Sequence, residues 1–255
     1  MFKVLKYVLY DIVRSRMVLA YTILLFLLCS GLFYLGSDYS STLVSLLHVI
    51  LLVVPLICII FGTIHFYNSR EFIEMMLAQP VDRNSIYFGE YLGLSGSLAM
   101  ALLIGLGILI LLWPPTEAAL YLLIVGIMLT FIFAALAFLT SVRSVDKAKG
   151  IGSALLLWFY FAVLFDGIVL LILHYLSDYP LEEVVLALTA LNPIDIGRVL
   201  ILLKLDTSAL MGYTGALYQK FFGTGLGQTF SLSVLAVWII IPLFRARRIF
   251  SRKDL

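Results

Sequence analysis

The stretch Ala118 to Val142, AALYLLIVGIMLTFIFAALAFLTSV, decides the fold, because it is almost wholly apolar and contains no charged residue. It is longer than the roughly 20 residues that an α-helix, rising about 1.5 Å per residue, needs to cross about 30 Å of hydrocarbon. Five further stretches share this length and apolar character: Met17 to Gly36, Tyr39 to Tyr67, Tyr91 to Trp113, Ile151 to Leu176 and Phe221 to Phe244. The sequence therefore predicts an all-α integral membrane protein with six transmembrane helices.

Basic residues are distributed unevenly between these stretches. If the six stretches cross the membrane in alternating directions, one side receives only Arg198, Lys204 and Lys220 of the 17 Lys and Arg residues. Because Lys and Arg accumulate in cytoplasmic loops, the richer side is expected to be the cytoplasm. We therefore expect a multi-pass protein of the bacterial inner membrane with both termini in the cytoplasm.

The composition agrees with this topology. The chain is 63% hydrophobic and only 13% charged, whereas soluble domains carry about 25% charged residues. Its net charge of +2 is explained by topology and gives no reason to expect a nucleic-acid partner. The first apolar stretch is too long for the core of a signal peptide, so we expect an uncleaved span. Cys29 and Cys58 lie within spans and are expected to be free thiols.

Residues 1–16 are predicted to form an interfacial elbow helix before the first span. Lys3, Lys6, Tyr10 and Arg14 share one helical face, and the apolar residues share the other. The apolar face comprises Phe2, Leu5, Leu9, Ile12 and Val13.

Residues 177–220 form the only long loop on the outer side. Its segments Val184 to Leu191 and Ile194 to Leu203 are apolar but too short to span, which indicates short re-entrant helices. Asn192 is expected to cap the second helix, with Pro193 in its first position, and Asp195 can pair with Arg198 one turn later. These residues either pack the loop or present a surface to an extracytoplasmic partner.

Residues 69–90 form a cytoplasmic loop whose first part predicts a short amphipathic helix. Phe72, Met75 and Met76 fall on one face as an apolar knob, Glu71 and Glu74 flank it, and Pro80 is expected to end the helix. Such a helix is suited to docking in a groove of another protein. The alternative is a solvated turn.

This loop resembles the corresponding loop of ABC-2 type transporter permeases, in which it couples the membrane domain to the ATPase. The residues that carry the resemblance are Arg70, Glu71, Glu74, Leu77, Pro80 and Arg83. The resemblance implies a single permease domain over residues 1–255, similar to type V exporters, in which Glu71, Phe72, Glu74, Met75, Met76, Pro80 and Arg83 contact the ATPase. Glu90 departs from the Lys that many such permeases carry.

The second half of the chain is similar to the permease subunits of Nos transporters. The similarity rests on Leu164-Phe165-Asp166, on the run from Leu191 to Arg198 and on Ser208 to Gly212. It implies a cytoplasmic ABC ATPase and a periplasmic β-helical protein as partners, and a role in assembling the copper sites of nitrous oxide reductase. The chain has no nucleotide-binding G-x-x-x-x-G-K-[ST] motif, so we expect it not to be an enzyme, and ATP and Mg²⁺ to bind the partner.

Asp166 is predicted to be the only carboxylate within a span, and no Lys or Arg in the spans could neutralise it. A charged side chain within a membrane span costs about 2.5 to 3.5 kcal/mol, so Asp166 is either functional or an interhelical hydrogen-bonding group.

No metal site is predicted, because His48, His65 and His174 lack second ligands at metal spacing. Gly93-Leu94-Ser95-Gly96 matches the GxSG motif of rhomboid proteases, but Ser95 is expected near the cytoplasmic end of its span whereas rhomboid sites open outward, so small-residue helix packing is the favoured explanation.

Two classes of function remain open at this point. In the first, the chain is half of a homodimeric transporter that exports a drug, an ion, a lipid or a species needed for copper-site assembly. In the second, the same bundle is a mechanotransmitter that relays ATPase movements to an extracytoplasmic partner without a substrate path. A path requires polar lining and a relay does not, so the surroundings of Asp166 distinguish the two.

Overall fold

The computed structural model describes residues 2–36, 38–112, 116–175, 182–205 and 222–252. Six of the described helices are long and apolar enough to cross a membrane, which confirms the predicted all-α architecture. Spans 1 to 6 are Arg16–Leu35, Tyr39–Asn68, Arg83–Leu111, Glu117–Arg143, Lys147–Tyr175 and Gly225–Arg252. Four shorter helices complete the described fold: the elbow helix Phe2–Val13, the connecting helix Arg70–Leu77, and the distal helices Glu182–Ala190 and Pro193–Lys204.

Span 3 begins eight residues before the predicted Tyr91. Asp82 caps it by accepting a hydrogen bond from the backbone N–H of Ser85, so the helix starts at Arg83 and contains Glu90. Glu90 is buried, with 2% of its surface exposed. The prediction that Asp166 is the only carboxylate within a span is therefore wrong.

Span 4 is the centre of the bundle. Its side chains from Leu122 to Phe138 are largely buried, and they pack against spans 2, 3 and 6. Gly62 permits the close approach of span 2, because a Cβ atom there would lie 2.7 Å from the Cβ of Ala137. Spans 1, 5 and 6 leave most of their side chains exposed or only half-buried, and these surfaces are available to lipid or to another protein.

One end of the bundle, here called the basic end, carries both described chain ends and the connecting helix. Arg83 donates to the Ser251 carbonyl at 3.4 Å, and Arg247 donates to Asn84 at 2.8 Å, which joins the ends of spans 3 and 6. The elbow helix buries Val8 and Ile12 against span 3, with Val8 in contact with Gly93. Val13, which the sequence places on the apolar face of this helix, is exposed.

Spans 2, 3 and 5 each contain one π-helical turn, at Val49–Val53, Leu103–Gly107 and Tyr160–Leu164. A π turn shifts the backbone hydrogen bonds by one residue and occurs frequently at functional sites. The turn in span 5 ends two residues before Asp166 and therefore sets the direction of that side chain.

Both cysteines are buried and free, as the sequence predicts. Residues 206–221, which include the Ser208 to Gly212 stretch of the predicted outer loop, lie outside the described residues, as do residues 176–181.

Candidate functional site

Arg198 joins two carboxylates that come from different parts of the chain. Its Nη1 lies 3.0 Å from Oδ2 of Asp166 in span 5 and 3.2 Å from Oδ1 of Asp195 on its own helix. The predicted pairing of Asp195 with Arg198 is confirmed. The prediction that Asp166 has no counter-ion is wrong, because its partner comes from a distal helix that folds back against span 5.

Asn192 holds the start of this distal helix in place. Its Oδ1 accepts a hydrogen bond from the backbone N–H of Ile194 at 3.0 Å, and Pro193 occupies the first helical turn, as predicted. Its Nδ2 donates to Oδ2 of Asp195 at 3.0 Å and to the carbonyl oxygen of Phe161 at 2.9 Å. Asn192 is fully buried, so a capping residue recognised from sequence also connects the distal helix to span 5.

Phe161 lies in the π-helical turn of span 5, and it contacts span 6 as well. Its ring packs edge-to-face on Trp238, with 5.3 Å between the ring centroids. The indole N–H of Trp238 donates to the carbonyl oxygen of Ala190 at 3.2 Å, at the end of the first distal helix. The junction between the two distal helices is therefore hydrogen-bonded to span 5 through Asn192 and to span 6 through Ala190.

The second distal helix is also fixed at its other end. Lys204 forms a 2.7 Å ion pair with Glu117 at the start of span 4. In the middle of the helix, Gly197 lies so close to span 4 that a Cβ atom would be 2.7 Å from Val125. The helix is thus attached to spans 4 and 5 along its length.

The electrostatics of this cluster favour the uptake of one proton. With all groups ionised, Asp166, Asp195 and Arg198 would carry a net charge of −1. Burial and the neighbouring Asp166 raise the pKa of Asp195 while Arg198 lowers it, and the net result is a pKa of about 7. Near neutral pH the cluster can therefore hold a proton on Asp195.

The cluster is open to its surroundings on one side. The side chain of Asp166 is 39% exposed and that of Arg198 is 32% exposed. Neighbouring side chains on the same surface of span 5 are apolar, including Val163 and Leu170. An ion pair is expensive to expose to lipid tails, so this surface requires either water or a second protein against it.

The predicted ATPase-coupling residues lie at the basic end, far from this cluster. Ile73 is buried and attaches the connecting helix to the bundle. Glu71, Phe72, Glu74 and Met75 are exposed, and Glu74 pairs with Arg70 at 2.9 Å.

One of the predicted coupling residues, Met76, is placed differently from the prediction. Met76 is half-buried and packs against the core, so the exposed apolar surface consists of Phe72 and Met75. The helix ends at Leu77, before Pro80. Arg83 begins span 3 and contacts the end of span 6.

Tyr67 links the connecting helix to span 5. It lies three residues before that helix, and its hydroxyl donates to the carbonyl oxygens of Ser144 at 3.0 Å and Asp146 at 3.3 Å. Its ring also contacts Gly150 in the first turn of span 5. Asp166 lies about 24 Å further along the same span. A continuous series of contacts therefore connects the connecting helix with the distal cluster.

A second buried polar pair joins spans 2 and 3. His65 Nε2 lies 2.9 Å from Glu90 Oε2, and Ser69 at the start of the connecting helix lies 3.4 Å from the same nitrogen. The other oxygen of Glu90 has no hydrogen-bond partner among the described residues. The sequence does not predict this pair, although a His and a Glu that flank one short loop are a signal that could have been used.

The protease alternative has no support in this geometry. Ser95 is fully buried and donates its hydroxyl hydrogen to the carbonyl oxygen of Tyr91 at 2.7 Å, while His65 pairs with Glu90. Within the described residues, no group of three or more His, Cys, Asp and Glu side chains is placed to hold a metal ion.

Comparison with known proteins agrees with the fold. Residues 43–255 match the family described as ABC-2 family transporter protein. The chain is 29% identical to the probable ABC transporter permease protein NosY of Pseudomonas aeruginosa, over 92% of this chain and 89% of that protein. It is also 29% identical to the probable ABC transporter permease protein NosY of Stutzerimonas stutzeri, over 95% of each chain. These matches confirm both resemblances found in the sequence, and the chain belongs to the ABC-2 family of transporter proteins.

Proposed function

We propose that the chain is the permease subunit of an ABC transporter and couples ATP hydrolysis by a separate cytoplasmic ATPase to transport or force transmission across the bacterial inner membrane. The family implies an ABC ATPase partner and a transporter subunit rather than an enzyme. The connecting helix is the contact site for that ATPase, with Glu71, Phe72, Glu74 and Met75 as its exposed face. In this topology both chain termini and the basic end face the cytoplasm.

The observation that carries the proposal is the series of contacts from the connecting helix to the distal helices. Tyr67 fixes the start of span 5, and span 5 carries Asp166, which pairs with Arg198. A movement imposed on the connecting helix would therefore reach the opposite side of the membrane through rigid helices and short polar contacts. A movement of this kind is what an ATPase-driven permease must transmit.

The working unit is a homodimer in this proposal. The half-exposed Asp166–Arg198 pair lies on an otherwise apolar surface of span 5 and cannot face lipid tails at low cost. Two copies related by a two-fold axis would cover both pairs. The two clusters would then line a polar path between the subunits.

The transported species or transmitted force serves copper-site assembly of nitrous oxide reductase. This assignment rests on the similarity to two NosY permeases along nearly the whole chain. The distal helices and the loop that follows them would contact a periplasmic β-helical protein. ATP and Mg²⁺ would bind the ATPase, and the permease itself would hold no cofactor.

The relay function is the second candidate, and the interlocked distal helices favour it. Asn192, Trp238 and Lys204 attach these helices to spans 5, 6 and 4. Such an attachment is well suited to passing a movement to a protein docked outside the membrane, whether or not a substrate crosses. Asp166→Asn separates the two functions, because a relay tolerates the loss of a titratable group and a polar path does not.

The experiment that tests ATPase docking uses two variants of the connecting helix, Glu74→Lys and Met75→Asp. Each is co-expressed with the cognate ATPase, and the ATPase recovered with the tagged permease is quantified. We expect both to reduce recovery without changing membrane insertion, since one reverses a charge and the other places a carboxylate on the exposed apolar surface.

Val145→Asp and Asp11→Lys are the matched controls. Val145 is 63% exposed and Met75 62%, and both controls lie at the basic end. The controls should retain the ATPase. Full recovery of the ATPase with Glu74→Lys and Met75→Asp would exclude docking through this helix.

A further inference from the structure

A basic cleft lies between the ends of spans 4 and 6 at the basic end of the bundle. Val142 and Arg143 line it from span 4, and Arg248, Ile249 and Arg252 line it from span 6. Its volume is about 490 Å³, which is enough for a phosphate group with its glycerol ester. Val142 and Ile249 provide an apolar wall, and the three guanidinium groups provide a positive rim.

The three arginines of this cleft are not neutralised within the described residues, where none of Arg143, Arg248 and Arg252 has a carboxylate partner. Asp146 is the acidic residue nearest to Arg143 in sequence, and its Oδ1 accepts a hydrogen bond from the backbone N–H of Ala148 at 2.8 Å. The positive-inside bias explains why arginines lie at this end, but it does not require three of them to surround one cleft. Guanidinium groups gathered in this way favour an anion, and phosphate matches their paired donors.

The depth of the cleft indicates where that anion comes from. Span 6 has 28 residues, which corresponds to a length of about 42 Å. This exceeds the roughly 30 Å of hydrocarbon and approaches the 40 to 45 Å of a bilayer with its headgroups. The last two turns of span 6, with Arg248 and Arg252, therefore reach the layer in which lipid phosphates lie.

An apolar stripe leads directly to the cleft. Val237, Ile241 and Phe244 are each about half exposed, at 47%, 49% and 51%. They continue into Arg248 and Arg252 at spacings of three or four residues, so all five lie on one face of span 6. Acyl chains could lie along the apolar part of this face while their headgroup occupies the basic part.

We propose that this cleft binds the phosphate group of an anionic phospholipid from the cytoplasmic leaflet. The lipid neutralises Arg143, Arg248 and Arg252 and bridges the ends of spans 4 and 6. Basic pockets between transmembrane helices on this side of a membrane are suited to such headgroups. The site is separate from the connecting helix and from the Asp166 cluster, so it does not depend on the function proposed above.

Native mass spectrometry of the purified full chain tests this proposal. The chain is titrated with phosphatidylglycerol, with phosphatidylcholine and with inorganic phosphate. We expect phosphatidylglycerol to bind about tenfold more tightly than phosphatidylcholine, and R143Q/R248Q/R252Q to remove that preference. The control R14Q/R16Q/R245Q, which also removes three arginines from the basic end, should keep it.

A single variant, Arg248→Gln, provides a milder test, because it changes one exposed residue and should fold as the wild type does. It should weaken phosphatidylglycerol binding severalfold while the protein remains monodisperse in size-exclusion chromatography. Unchanged lipid binding by the triple variant, or an equal loss in the control, would overturn the proposal. Displacement of phosphatidylglycerol by millimolar inorganic phosphate would assign the cleft to a soluble anion instead. If R143Q/R248Q/R252Q still binds phosphatidylglycerol but no longer recovers the ATPase, the cleft belongs to the ATPase interface and the lipid proposal is wrong.

Discussion

The carboxylate of Asp166 and the guanidinium of Arg198 lie 3.0 Å apart, although one belongs to a membrane span and the other to a helix that does not span. Asp195 on the same distal helix shares this arginine. The pair attaches the second distal helix to span 5. It also places the one basic residue of the cluster between two acidic residues, so the two sides of the pair are not equivalent.

Arg198→Gln should therefore destabilise the protein more than Asp166→Asn. Removing the arginine leaves two carboxylates facing each other, whereas Asp166→Asn leaves Asp195 paired. The difference should be about 1 kcal/mol in the free energy of unfolding, because the pair is partly exposed. Thermal unfolding in detergent at fixed pH measures it, and equal losses in the two variants would contradict the asymmetry.

Asp166→Asn should preserve expression and ATPase recovery while abolishing maturation of nitrous oxide reductase. Asparagine keeps the shape and most hydrogen bonding of aspartate but cannot carry the charge. The measurement is reductase activity in cells that carry the variant, with Asp166→Leu as the comparison. If Asp166→Asn supports full activity and only Asp166→Leu is harmful, the residue is a packing group and the polar path is excluded.

The stability of the protein should fall as the pH rises from about 4 to about 7. The pKa of Asp195 is raised to about 7 in the folded state, so the folded protein binds more protons than the unfolded chain between the unfolded pKa of about 4 and pH 7. Stability is therefore lost as pH rises through this window and is constant above it. Asp195→Asn, which can still accept the hydrogen bond from Asn192, should flatten the profile of Tm against pH.

Gly150→Val should uncouple the ATPase from the distal side. A side chain at this position overlaps the ring of Tyr67, which must then give up its hydrogen bonds to Ser144 and Asp146. ATPase recovery should stay normal while reductase maturation falls severalfold. Gly152→Val is the control, because a Cβ atom there meets no heavy atom within 4 Å in the described structure. Similar defects in the two variants would argue against a role for Tyr67.

The buried pair of His65 and Glu90 should show strong coupling in a double-mutant cycle. His65→Leu leaves the carboxylate of Glu90 buried without its main partner and should cost about 1 to 3 kcal/mol. The double variant His65→Leu/Glu90→Leu removes both polar groups and should be closer to the wild type. The free energies of unfolding in detergent provide the cycle, and additive effects would show that the two residues act independently.

Local sequence patterns predicted the parts of the fold that depend on neighbouring residues. The apolar spans are each one continuous stretch of sequence. The cap formed by Asn192 and the pairing of Asp195 with Arg198 join residues only two or three positions apart. Hydropathy placed the start of span 3 too late, because Glu90 and the polar residues before it look like loop. The helix continues through them because Asp82 caps it and Glu90 finds His65.

The candidate site could not be predicted in full, because its decisive contacts join residues far apart in the sequence. Nothing near Asp166 in the chain indicates that Arg198 will be its partner, or that Asn192 will donate to the Phe161 carbonyl. These contacts follow from how the distal helices fold back onto spans 5 and 6. Sequence alone therefore identifies the residues of the site but not their arrangement.

The π-helical turn Tyr160–Leu164 sets the rotation of the second half of span 5 about its own axis. If its hydrogen bonds returned to the α-helical pattern, the rest of the span would rotate by about 100°, one residue's share of a helical turn. Asp166 would then swing away from Arg198, and the Phe161 carbonyl would turn away from Asn192. The hydrogen-bond pattern of these five residues therefore determines whether span 5 remains attached to the second distal helix.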